Sequence, residues 1–314
     1  MTQALVASQP KDGFLRRVSD VLVTRRTLVV LLLLAPPLLW LGIVYLGSLV
    51  ALLAQSLFSI DDFSGTIVYR VTLKTYGELL APANIDIIVR TLALSTIVTM
   101  LAAIVGFPIA YYAARYAHGK LKALFYLAVM MPLWSSYLVK VYAWKLLLAK
   151  EGAVGWLMHA AGLGAALDQW LAMPLVGGPS LSVSYTGMVL TFLYLWTPFM
   201  VLPVQASLER VPATLIEASD DLGARPGQTF RHVILPLAAP GLVAGSIFTF
   251  SLTLGDYIVP QIVGPSSLIL GQAVYAEQGT AGNIPLAAAF SVAPILIMVV
   301  FLTLAKRMGA LDAL

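Results

Sequence analysis

Residues 28–53 contain no Asp, Glu, Lys, Arg or His. A helix rises about 1.5 Å per residue, so this segment would extend about 39 Å, more than the roughly 30 Å hydrocarbon core of a bilayer. Five further apolar stretches approach or exceed the length of a crossing, at residues 89–113, 123–148, 183–208, 237–258 and 287–304. The 314 residues are 60% hydrophobic and 11% charged, against about 25% charged in soluble domains. So few charged side chains cannot cover a soluble surface of this size. No regular in–out alternation recurs every ten residues, which argues against a β-barrel. The expected class is an all-α integral membrane protein with six transmembrane helices.

Lys and Arg set orientation through short loops. With the N-terminus inside, the cytoplasmic segments hold Lys11, Arg16, Arg17, Arg25, Arg26, Arg115, Lys120, Lys122, Arg210, Arg225, Arg231, Lys306 and Arg307, 13 of the 19 basic residues. The first apolar run is too long for a signal-peptide core and no clear cleavage site follows it, so it reads as an uncleaved span. The expected organisation is a cytoplasmic tail at 1–26, a first span at 27–53, and a five-helix core at 85–310 with a cytoplasmic loop at 209–232. Both termini are expected inside. Residues 155–177 are also apolar, but His159, Asp168, Gln169 and Pro174 interrupt them. They read as an interfacial or re-entrant segment.

Chemistry on the chain itself is sparse. There is no Cys, and the three His are scattered. Gly119-Lys120 is followed by Leu121, so the phosphate-cradling G-x-x-x-x-G-K-[ST] is missing. Gly162 and Gly164 begin a G-x-G that neither continues nor follows a strand. No nucleophile has a recognisable base, and the chain is not expected to be an enzyme.

The loop at 209–232 carries the strongest pattern. Pro212 suits the first turn of a helix and Gly223 its C′ position. Leu215, Ile216, Ala218, Ser219 and Leu222 form a partly apolar, small-residue face between them. Pro236 and Pro240 are expected to kink the entry to the next span. Glu217-Ala218-Ser219, then Gly223, then Val233, Leu235 and Pro236 resemble the EAA loop of ATP-binding-cassette (ABC) importer permeases of type I. Ser219 and Val233 depart from that pattern, each within its size class. The resemblance implies that Glu217, Ala218, Ser219, Leu222, Gly223 and Pro236 belong to a coupling helix docking on cytoplasmic ATPase subunits.

The resemblance extends over about residues 85–310. It is closest to spermidine/putrescine permeases through the run from Pro132 to Trp144, through Leu254-Gly255-Asp256-Tyr257-Ile258-Val259-Pro260, and through Gly264-Pro265 and Leu270-Gly271. Lys140 stands where relatives often have Arg. By resemblance the chain is a permease subunit in a bacterial inner membrane, importing a polyamine or related cationic amine by alternating access. Its implied partners are two cytoplasmic ABC ATPases, a second homologous permease and an extracytoplasmic solute-binding protein, besides the lipid bilayer. ATP and Mg would sit on the ATPases, with no cofactor, metal or nucleic acid on this chain. The alternatives are an ion-coupled secondary transporter, which needs mid-membrane carboxylates, and an ABC permease for another solute such as an amino acid derivative.

Charges inside a bilayer are costly enough to have a reason. Lys145 is near the outer end of the third span and can snorkel, while Lys140 lies deeper. Asp256, with Tyr257 beside it, is expected near the outer end of the fifth span as the sole carboxylate within or ending a span. Two roles are open to Asp256, receiving a cationic solute or pairing with Lys140. The possible substrate path comprises Asp256, Tyr257, Trp134, Tyr137, Lys140 and Trp144, whose aromatics equally suit an interfacial belt or packing.

Overall fold

The computed structural model describes residues 26–307, apart from 62 and 175. The tail at 1–25, with Arg16, Arg17 and Arg25, lies outside the described residues. The chain divides into two compact units, Met1–Gln55 and Ser56–Leu314. In the first, α1 (Arg26–Leu39) continues through a π-helical turn, Trp40–Leu46, into α2 (Gly47–Gln55). The wide turn follows Pro36 and Pro37, which withdraw two N–H donors from the helical ladder.

The second unit opens with a small antiparallel hairpin. Its strands β1 (Ser59–Ile60) and β2 (Ile67–Val68) pair Ser59 with Val68 and Ile60 with Ile67. Short α3 (Lys74–Leu79) precedes the long α4 (Pro82–Arg115), which starts with Pro82 in its first turn. Then come α5 (Gly119–Trp134), α6 (Tyr137–Leu147), α7 (Ala153–Ala160) and α8 (Gly164–Leu171). The long α9 (Tyr185–Glu209) is N-capped by the Ser184 hydroxyl, which accepts from the Gly187 N–H at 3.0 Å. Next are α10 (Ala213–Asp221), α11 (Pro226–Thr229), a second π-helical turn at Phe230–Ile234, and α12 (Leu235–Leu254). The chain closes with α13 (Ile258–Ile262), α14 (Leu270–Gly279) and α15 (Ile284–Arg307).

Among the described residues five helices are long and apolar enough to cross a membrane: Val29–Gln55, Pro82–Arg115, Tyr185–Glu209, Pro226–Leu254 and Ile284–Arg307. A sixth crossing requires α5 and α6 together, and they bend by 97°. The third apolar stretch is therefore not the single straight helix its hydropathy suggests. Pro132 lies in the last turn of α5, and Ser135 and Ser136 adopt extended backbone angles between the helices. Pro236 and Pro240 do not interrupt the entry to the fifth span, because Pro226–Leu254 runs as one helix. Pro236 occupies the first turn of α12, and the π-helical turn before it absorbs the missing donors. Residues 155–177 form two eight-residue helices, each about 12 Å long and too short to cross.

The centre of this unit is a mutual packing of α4, α9 and α12. Towards one end Val98, Val141, Phe192, Trp196 and Val259 are buried together, and towards the other Ala102, Met200, Val204, Leu208 and Ala238. Small residues set the spacing. A Cβ at Gly241 would lie 2.4 Å from the Pro203 carbonyl oxygen and 2.6 Å from Ser207 Cβ. One at Gly245 would lie 3.0 Å from Met200 Cα. Close backbone approach is how helices gain dispersion contacts in lipid, where burial alone offers little driving force.

Candidate functional site

The segment α10 is polar for its size, yet it is seated on the core. Ile216 and Phe230 pack against the Met200–Leu208 cluster. The Ser219 hydroxyl meets Thr229 Oγ1 at 2.9 Å, tying α10 to α11. Two hydrogen bonds close its end, Gly223 N–H to Asp220 O at 2.8 Å and Ala224 N–H to Ser219 O at 3.1 Å. That pattern, with Gly223 at φ +77°, is a Schellman stop. With Ile216 and Ser219 turned inward, Leu215, Glu217, Ala218 and Leu222 remain exposed. Leu222 is 88% exposed, an apolar side chain left uncovered among the described residues. Pro236 is exposed on the same stretch of chain but belongs to α12.

Beside α10 lies a polar knot that the sequence reading did not single out. Glu209, the last residue of α9, pairs with Lys122 of α5 at 2.8 Å. Its Oε1 also accepts from Tyr126 Oη at 2.9 Å and Gln205 Nε2 at 3.3 Å. Arg115, ending α4, donates from Nη2 to the Val211 carbonyl at 3.0 Å. Helices α4, α5 and α9 are thus tied directly at the root of α10. Lys122 and Arg115 entered the sequence reading only as orientation signals, and their partners lie 87 and 96 positions away. No local pattern marks such pairs.

At the opposite end the bend between α5 and α6 gathers most of the other candidates. Lys140 Nζ donates to the Pro132 carbonyl at 2.7 Å. The ammonium thereby sits on the exposed carbonyl end of α5, where helix dipole and hydrogen bond both favour a cation. Asp256 does not pair with Lys140 within this chain. Its Oδ1 accepts the Val259 N–H at 2.8 Å and its Oδ2 accepts the Tyr137 hydroxyl. Asp256 so bridges the start of α6 to the start of α13. Tyr137 stacks on Trp196, centroids 6.0 Å apart, and Tyr257 stacks on Tyr275 at 5.2 Å. Trp144 packs on Tyr194 at 5.3 Å. Trp134 is 73% exposed at the end of α5 and does not join this group. Asp256 is also not the sole carboxylate in or ending a span, because Asp86 falls within α4 and Glu209 ends α9.

Lys140→Met should lower thermal stability by about 1.5–3 kcal/mol, the range for a hydrogen bond to a charged group, because the Pro132 carbonyl loses its donor at the bend. Lys140→Arg should retain most of it. A Met variant that unfolds at the wild-type temperature in detergent would show that the bend does not depend on this contact.

The core is thus a set of mutually packed long apolar helices with a short polar helix between two of them. Residues 106–311 match the family of the binding-protein-dependent transport system inner membrane component. The chain is 53% identical over 309 residues to the inner membrane ABC transporter permease protein YdcU of Escherichia coli (strain K12), covering 98% of this chain and 99% of that protein. It is 26% identical over 250 residues to the spermidine/putrescine transport system permease protein PotB of the same strain, covering 79% and 86%. Among solved structures it matches a bacterial ABC transporter for the acidic polysaccharide alginate, with TM-score 0.69, 15% identity, and 93% and 98% coverage. It also matches the MetNI methionine ABC transporter with TM-score 0.53 and 20% identity, covering 75% of this chain and 100% of that one. The chain belongs to the binding-protein-dependent transport family of inner membrane components. It has the type I fold and is a permease subunit of an ABC importer.

Proposed function

We propose that this permease imports a small cationic amine of the polyamine class. The fold is compatible with very different solutes, since relatives in structure include importers of an acidic polysaccharide and of methionine. The solute reading therefore leans on the similarity to spermidine/putrescine permeases and on one local observation, the Asp256 carboxylate between aromatic pairs at the bend. The carboxylate accepts the Tyr137 hydroxyl and the backbone N–H groups of Val259 and Ile258. A carboxylate offers about four lone-pair positions, which leaves acceptor capacity for an ammonium group. The faces of Tyr137 and Tyr257 add favourable surroundings for a cation.

In this reading both termini are cytoplasmic, and a solute-binding protein delivers to the Asp256 end. A second, homologous permease completes the path. Two ATPase subunits hold ATP and Mg and receive α10 through Glu217, Ala218 and Leu222. Their closure moves α10, and the ties at Glu209 and Arg115 carry that motion into α4, α5 and α9. Alternating access follows from these helices moving against the bend.

The test is import into proteoliposomes holding the full complex, with putrescine, spermidine and an amino acid derivative as solutes. Asp256→Asn keeps the shape and the Tyr137 contact but removes the charge. It should raise the half-saturating amine concentration about tenfold, the equivalent of one lost charge-assisted hydrogen bond, without changing ATPase assembly. Wild-type uptake at limiting amine would make the carboxylate structural, and transport of the amino acid derivative alone would discard the polyamine class.

A further inference from the structure

The largest cavity among those described lies away from both sites. It is a groove of about 930 Å³ running along α4, α12 and α15. Met100, Leu242, Phe250, Leu296, Val300 and Phe301 line it, and Phe250 and Phe301 stack at its floor, 4.6 Å apart. Three hydroxyl side chains also line it, and none is free to bind a guest as donor. Thr96 donates to Leu92 O, Thr99 to Ser95 O and Ser246 to Leu242 O, all within 2.7–2.8 Å. The lining is in effect hydrocarbon. Among the described residues one charged side chain touches it, Arg307 at the end of α15, and no carboxylate does.

These features select an occupant. Water gains nothing in an apolar groove without hydrogen-bond partners. Slender acyl chains fit its section, and a single guanidinium at one end calls for an anion there. Basic residues between transmembrane helices at the cytoplasmic side are suited to lipid phosphates, and the asymmetry of Lys and Arg places Arg307 on that side. We propose that the groove is a binding site for one anionic phospholipid, its acyl chains along Leu296, Val300 and Phe301 and its phosphate on Arg307. The proposal does not depend on the identity of the solute.

The full chain in nanodiscs of mixed phosphatidylglycerol and phosphatidylethanolamine, released for native mass spectrometry, tests this. One phosphatidylglycerol should stay bound per chain. Arg307→Gln should lower its retention relative to phosphatidylethanolamine about fivefold, the factor for one basic side chain at a membrane surface. Lys306→Gln, outside the groove, should change it much less. Val300→Trp, at a position 58% exposed on the groove, should reduce retention of both lipids without unfolding the chain. Absence of a retained lipid would overturn the proposal, as would equal effects of the Arg307 and Lys306 changes. So would cross-linking of a single Cys at Val300 to another polypeptide helix, a clean experiment because the chain has no Cys.

Discussion

Gly223→Val leaves the chain folded and inserted, while uptake and solute-stimulated ATP hydrolysis fall by an order of magnitude or more. The reasoning has two parts. Gly223 sits at φ +77°, where a β-branched residue carries strain of about 1–3 kcal/mol, enough to unwind the Schellman stop that ends α10. Beyond the backbone, a Cβ at Gly223 meets no atom of the described residues within 4 Å. Any steric penalty must therefore come from a partner surface. Gly223→Asn separates the two, because Asn tolerates the left-handed region. If Asn restores hydrolysis and uptake, the strain is responsible. If Asn and Val fail alike while the ATPases no longer co-purify, the partner needs the empty space. Normal uptake in the Val variant would remove α10 from the coupling path.

Gly241→Val should prevent stable folding. Its Cβ would lie 2.4 Å from a carbonyl oxygen of α9, and backbone cannot step aside as a side chain can. The two helices must separate, at a cost of about 3 kcal/mol or more, a large share of a typical folding free energy. Gly106→Ala is the internal control. There the nearest atom is Met200 Cγ at 2.9 Å, part of a flexible side chain that can rotate, so the loss should be much smaller. Thermal unfolding in detergent of the two variants side by side checks both. Equal melting temperatures would mean that the α9–α12 contact is softer than its geometry implies.

Five of the six apolar crossings and the presence of the projecting helix were legible in the chain. Hydropathy over about 20 residues reports the cost of leaving water, and that cost is a property of composition. The spacing from Glu217 to Gly223 was legible for a similar reason: a helix of a few turns and its glycine stop are set by neighbours in sequence. The bend at Ser135–Ser136 was not, because each half of residues 123–148 is as apolar as a straight span would be. Its shape is held by Lys140 reaching back to Pro132 and by Asp256 reaching Tyr137 across 119 positions. The same holds for Asp256 itself, whose charge suggested Lys140 as partner until the fold placed a tyrosine and a backbone N–H there instead. Glu209 was passed over for want of any local signal, since its bond to Lys122 exists only once α5 and α9 lie side by side. Apolar content and short-range spacing are written residue by residue, whereas the pairing of a buried polar group depends on which distant helix arrives next to it.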